Sequence, residues 1–163
     1  MKQRKNFIMR VAAGVALILL SALITVVIRD VLARRNPENA LPVMEVFFSS
    51  PQQVVHLPIA NSMMHSYSWE FLFGTESGGD PVSDSWKRLE GAWVPPASSV
   101  DLEFTFSPRE VHVSMASGEG NFVELGGEIK VPREPGEYTY RVKAIWRDNR
   151  WVNYYFKIRV PVW

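Results

Sequence analysis

With 163 residues, of which one long hydrophobic segment must be set aside, the chain leaves room for a single domain of roughly 100–150 residues around one core. It contains no cysteine, which excludes disulfides, thiolate metal sites, cysteine nucleophiles and a lipidated-cysteine anchor. Stability must come from packing, for which nine Phe, six Trp and five Tyr are a generous supply, and the formal net charge of +1 conceals an uneven distribution along the chain.

Val11 to Ile28 is an unbroken apolar run, extended past Arg10 by Phe7, Ile8 and Met9. At 1.5 Å per residue it covers about 27 Å, close to the hydrocarbon core of a bilayer. This predicts a transmembrane helix over 11–28, with residues 1–10 as a cytoplasmic tail and 29–42 as a juxtamembrane linker. The rival reading is a cleaved signal peptide, whose apolar region is shorter and ends in small residues rather than in Arg29-Asp30. Val31-Leu32-Ala33 offers the only tolerable cleavage site, so the segment reads as an uncleaved signal anchor. Lys2, Arg4, Lys5 and Arg10 precede the span and Arg29, Arg34 and Arg35 follow it, a slight positive-inside bias. A cysteine-free, strand-rich domain after the span, with only a short tail before it, is expected outside the cytoplasm. The expected location is therefore the cell membrane, single-pass.

Asn36 to Pro42 carries two prolines and no periodicity, which suits a short extended spacer. The domain follows over 43–163. Val43–Ser49 and Val54–Ile59 read as strands around Ser49-Ser50-Pro51. Residues 61–93 are the least regular part: Tyr67, Trp69, Phe71 and Phe73 alternate as a strand face, Gly74 to Pro81 reads as a flexible loop, and a helical turn fits around Trp86 to Glu90. Val100, Leu102, Phe104 and Phe106 then alternate, as do Val111, Val113 and Met115. Gly118 to Asn121 is a turn, Phe122–Leu125 and Glu128–Val131 are short strands, and Gly126-Gly127 is a turn between them. Short strands at this spacing, with no internal helix of any length, argue for an all-β antiparallel sandwich.

The strongest pattern closes the domain. Tyr138, Tyr140, Val142, Ala144 and Trp146 share one face of a strand, and Val152, Tyr154, Phe156, Ile158 and Val160 one face of the next. A two-residue Asp148-Asn149 turn puts these sets on opposite sides of the hairpin. A three-residue loop, 148–150, instead pairs Trp146 with Val152, Val142 with Phe156 and Tyr140 with Ile158. On the reverse face it sets Arg141 opposite Lys157 and Lys143 opposite Tyr155.

Pro95 to Phe104, Pro108 to Val113 and Gly136 to Val142 resemble the second, third and sixth strands of an immunoglobulin-like domain, and the resemblance extends over about 94–160. Tyr138, two residues before Tyr140, matches the tyrosine-corner position. With no core cysteines, and with Leu102 or Phe104 and Tyr140 in their places, the likeness is to bacterial immunoglobulin-like domains. The wider pattern, with Ser66 to Trp69 ahead of these strands, resembles small membrane-anchored extracytoplasmic proteins of bacilli. The resemblance implies an immunoglobulin-like antiparallel β-sandwich after one N-terminal transmembrane helix, with 61–93 as an aromatic-rich insertion between the first and second strands.

Chemical motifs are scarce. His56, His65 and His112 lack ligand spacing and read as surface or strand-edge residues, so neither a metal nor a cofactor is expected. Gly-rich pieces at 77–80 and 118–120 lack the helix and lysine of a phosphate loop. Glu70, Glu76, Asp80 and Asp84 read as a solvated acidic loop rather than a catalytic carboxylate pair. The expectation is a protein that is not an enzyme.

Charge says more. From Val43 to Glu137 there are five basic and fourteen acidic residues, and from Tyr138 to Trp163 six basic and one acidic, so the basic charge gathers on the closing hairpin. One reading pairs Arg141 and Lys143 with Glu110 on the neighbouring strand. The sharper one takes Arg141, Lys143, Lys157 and Arg159, interleaved with Trp151 and Tyr155 and joined by Tyr67 and Trp69 of the insertion, as a ligand-binding face. It suits an anionic envelope polymer, lipid head groups or an acidic protein. An extracytoplasmic setting argues against nucleic acid. The function expected is a membrane-tethered binding or sensing module. The alternative is an accessory subunit docking beside another membrane protein, for which the small residues Ala12 and Ala16 on the helix are a weak signal.

Overall fold

The computed structural model describes residues 2–50, 54–57, 61–79, 84–117 and 121–162. Two compact units divide the chain, one of Met1–Leu41 with Phe71–Gly74, the other of Pro42–Glu70 with Thr75–Trp163.

The first unit is built on α1, Lys2–Arg35. It runs beyond the expected 11–28 at both ends, because no proline or glycine cluster interrupts the polar flanks. Ser21 and Thr25 do not break the apolar surface, since their hydroxyls donate to the carbonyls of Ile18 (2.8 Å) and Ser21 (2.9 Å). Pro37 ends the helix by pushing Asn36 out of helical geometry, to φ −132° and ψ 68°. The expected extended spacer is instead a 3-10 turn, Pro37–Asn39, with proline at its first position, where the missing N–H costs nothing. Over Met9–Arg35 the helix is long and apolar enough to cross a membrane, and its apolar window buries nothing against protein.

The second unit is built of strands: β1 Met44–Ser49, β2 Val54–His56, β3 Ser62–Phe71, β4 Gly74–Gly78, β5 Ala92–Trp93, β6 Ser99–Phe104, β7 Glu110–Ala116, β8 Phe122–Leu125, β9 Gly136–Arg147 and β10 Arg150–Val160. They form a three-stranded sheet, β2-β1-β6, and a larger one, β4-β3-β10-β9-β7-β8, in which β5 also pairs with β10. β1 pairs antiparallel with β2 and β6, β10 with β3 and β9, and β7 with β8 and β9, while β5 runs parallel to β10. The sheets meet across Phe48 and Phe156 (ring centroids 6.2 Å apart) and Phe104 and Tyr154 (6.1 Å). Tyr140, Val142, Ala144, Val152, Phe156 and Ile158 are fully buried between them, as the alternation predicts.

Three expectations change. The β9–β10 turn is Asp148-Asn149 after all: Arg147 pairs with Arg150, then Ile145 with Trp151 and Ala144 with Val152. Trp146 is the extra residue of a β-bulge, which brings the two apolar sets onto one face just as an odd loop does. Its indole Nε1–H donates to Phe106 O at 3.0 Å, and its ring packs on Trp69 and Phe104. The register is therefore two residues from the expected one. Arg141 faces Tyr155, Lys157 faces Thr139, and no Arg141–Lys157 opposition exists.

The Gly-rich stretch expected as a loop begins with β4. Its glycines serve close approach: a Cβ on Gly78 would sit 2.5 Å from the Tyr67 ring, and one on Gly79 (φ +79°) 1.9 Å from His65 O. The strand expected over 128–131 shrinks to one bridge, Ser99 to Lys130. Gly127 in the left-handed region (φ +72°) precedes it, and Pro132 lacks the N–H to prolong it. Pro51, Pro58, Ile59, Asp80, Pro81 and Gly118 to Gly120 lie outside the described residues.

Candidate functional site

β7 alternates Val111 and Val113 with Glu110, His112 and Ser114, and the second set faces away from the core. Its neighbours extend each position into a cross-strand row. Glu124, Ser114, Arg141 and Tyr155 form one row, His112, Lys143 and Asn153 the next, and Glu110, Ile145 and Trp151 a third. Strands about 4.8 Å apart bring these side chains within reach of one another. His112, Ser114, Glu124, Arg141, Lys143, Ile145 and Asn153 line an open groove of about 380 Å³.

The acidic groups around this groove are already engaged. Glu110 accepts from Arg109 Nε at 2.9 Å, which holds its carboxyl below the usual range, and lies 3.7 Å from His112 Nε2. His112 Nδ1 is 2.8 Å from Glu124 Oε1, and that hydrogen bond raises the imidazole pKa above its ordinary value. Arg141 and Lys143 differ: among the described residues neither has a carboxylate within 4.0 Å. They rest on aromatic faces instead, Arg141 Cζ 4.8 Å from the centre of Phe122 and Lys143 Nζ 5.5 Å from that of Trp151. The expected pairing of both cations with Glu110 does not form, because Glu110 opposes Ile145. An anion entering the groove meets Arg141, Lys143 and, when protonated, His112. Ser114 and Asn153 add neutral polar groups.

The six predicted residues of the closing hairpin all share this outer face, and half of the set is occupied by protein. Tyr155 is buried against Trp86 (5.7 Å, stacked), Phe122 (5.6 Å) and His65 (4.9 Å). Burial raises its hydroxyl pKa, with Arg141 pulling the other way. Lys157 is 8% exposed, and its ammonium donates to Lys87 O at 2.8 Å, satisfying a carbonyl of the 3-10 turn Ser85–Arg88. That turn overlaps the stretch around Trp86 to Glu90 where a helical turn fits the sequence. Arg159 is paired with Glu137 at 2.6 Å. Tyr67 opposes core-facing Val152, and Trp69 is buried on Trp146 and Phe106, so both lie on the inner side of the sheet. Arg141 and Lys143 line the open groove, with Trp151 beneath the Lys143 ammonium.

Sequence reasoning missed His112, Ser114, Glu124 and Asn153. The polar alternation of β7 was visible, but joining His112 to Glu124 requires the length of the β7–β8 turn. The other histidines sit apart, His56 stacked on Phe47 (4.6 Å) and His65 against Tyr155. Among the described residues no cluster of His, Asp and Glu could hold a metal ion. Glu70 lies 3.9 Å from Arg150, and Asp84 pairs with Lys87 at 2.7 Å. Comparison of the chain with protein-family models, curated proteins and solved structures gives no match.

Proposed function

We propose that this chain is a membrane-tethered, extracytoplasmic binding module. It acts by binding rather than catalysis, and holds phosphate or carboxylate groups of an anionic envelope polymer in the outer-face groove. The observation that carries this reading is the pair of cations, Arg141 and Lys143, on neighbouring rows and without carboxylate partners among the described residues, in a groove whose acid, Glu124, is engaged by His112. Each contact at such an exposed site is weak. A polymer offers many, and repeated charges raise the effective affinity.

The tether in this reading is α1, and the binding domain is an immunoglobulin-like sandwich. The strand order β8-β7-β9-β10 beside a sheet containing β1-β6 supports the comparison. So does Tyr138, whose Oη–H donates to Glu134 O at 2.8 Å, the back-reaching bond of a tyrosine corner. The insertion then supplies β3 and β4, which widen the sheet beyond β10.

The test uses the full chain in lipid nanodiscs with soluble polyphosphate and polyglutamate as probes. Binding is expected at low salt and should fade as screening shortens the reach of charge. The R141Q/K143Q double variant should bind at least about tenfold more weakly, a loss of ~1.4 kcal/mol. K130Q, which removes a cation already paired with Glu128 at 3.2 Å, should bind as the parent does. Equal binding by the double variant and the parent refutes the proposal.

A further inference from the structure

Within the first unit, the turn Phe71–Gly74 is gripped by one face of α1. Asp30 Oδ1 accepts from the Leu72 N–H at 2.7 Å and Oδ2 from the Phe73 N–H at 3.3 Å. Arg34, one helical turn on, donates from Nη1 to Phe73 O at 3.3 Å. An acceptor and a donor four residues apart thus match the N–H and C=O groups of a turn backbone. Gly74 closes the turn at φ +149°, with the Arg34 guanidinium beside it. While the backbone is held, the side chains are not covered: Leu72 is 62% and Phe73 53% exposed. Two adjacent large apolar side chains at the tip of a turn carry a hydration cost that a soluble setting does not relieve.

Their place along the helix supplies the relief. The apolar run ends at Ile28, so Asp30 stands about 3 Å beyond it and Arg34 about 9 Å. The polar interfacial layer of a bilayer is roughly 5–8 Å deep on each side. A turn whose Leu72 and Phe73 N–H groups are bonded to Asp30, inside that layer, with Arg34 at its outer edge, is therefore held at interfacial depth, where Leu and Phe side chains partition among head groups and acyl ends. Arg29, Arg34 and Arg35 follow the apolar run on the same side of the span and suit lipid phosphates. We infer that the Leu72-Phe73 turn is a second membrane contact, an interfacial anchor pinned to the end of α1 by Asp30. This rests on the reading of α1 as a membrane span.

The absence of cysteine makes the test direct. Single variants L72C, F73C, V123C and L19C of the full chain are nitroxide-labelled and reconstituted in phosphatidylcholine–phosphatidylglycerol vesicles. Collisions with oxygen, which enters the bilayer, are compared with collisions with an aqueous nickel chelate. Val123 is an exposed strand residue and Leu19 lies mid-span. Labels at 72 and 73 are expected between these two limits, with nickel accessibility at least about threefold below that at 123. Adding D30N should shift the F73C label toward the aqueous value. Aqueous behaviour at 72 and 73 with a deep label at 19 overturns the inference alone. An aqueous label at 19 overturns the membrane reading and the inference with it. An F73C label that keeps its depth in D30N overturns the role given to Asp30.

Discussion

Two tyrosines on the core face of the closing hairpin should respond oppositely to loss of the same atom. Tyr140 is fully buried, its ring stacked on Phe156 at 4.7 Å, and its hydroxyl has no hydrogen-bond partner among the described residues. Tyr154 is 4% exposed, and its hydroxyl donates to Pro42 O at 2.5 Å. Burial raises the pKa of both, so each is a neutral phenol across the accessible pH range. A buried polar group without a partner costs about 1–3 kcal/mol, whereas a made hydrogen bond contributes a net ~1 kcal/mol. Tyr140→Phe keeps the stacked ring and removes the unpaired oxygen, and is expected to stabilise by about 1–2 kcal/mol. Tyr154→Phe loses its bond and leaves a buried carbonyl unpaired, and is expected to destabilise by about 1–2 kcal/mol. For a domain near 120 residues these changes correspond to roughly 3–10 °C in Tm, in opposite directions. Thermal unfolding of the full chain in one detergent, followed by near-ultraviolet circular dichroism, separates them. A lower Tm for Tyr140→Phe would refute the assignment of an unpaired hydroxyl.

Trp86→Ala removes the ring stacked on Tyr155 and edge-on to Phe122 (5.3 Å), and should cost about 3 kcal/mol by urea denaturation. A change below ~1 kcal/mol would mean that the Ser85–Arg88 turn does not shield the sheet. The Glu124 hydrogen bond raises the His112 pKa, so its contribution to stability is complete below the ordinary value of 6.5 and fades as pH rises through the higher folded value. Glu124→Gln should lower the His112 midpoint in an NMR titration and flatten that dependence. An unchanged midpoint would exclude the pair.

The core of the closing hairpin was legible because alternation is a local property: every second residue from Tyr140 to Ala144 and from Val152 to Val160 had to face one way. Its register was not. A bulge at Trp146 and an odd loop restore the same parity, and a binary pattern cannot distinguish them. The outer face was legible as a set of residues and not as a surface. What covers Tyr155 and Lys157 is Trp86 and Lys87, more than 60 residues earlier in the chain, and no periodicity announces a contact of that range. Gly78 and Gly79 misled for the opposite reason. Composition marks glycine as flexible, while here it admits a ring and a carbonyl into contact. The groove was half legible: its cations stood out by charge, and its histidine–carboxylate pair depended on how β8 folds back on β7.

β10 pairs with β9 along one edge, and with β3 and then β5 along the other. All three partners precede it in the chain. During synthesis at ~5–20 residues per second, β3 waits roughly 4–18 s for the strand that completes it. Through that interval the chain carries several unsatisfied edges and an unclosed aromatic core, the state in which a second nascent chain is the nearest available partner. Closure of this sheet therefore waits on β10, and a chain cut before Arg150 would leave β3, β5 and β9 each with the edge that β10 covers open, rather than yield a shortened domain.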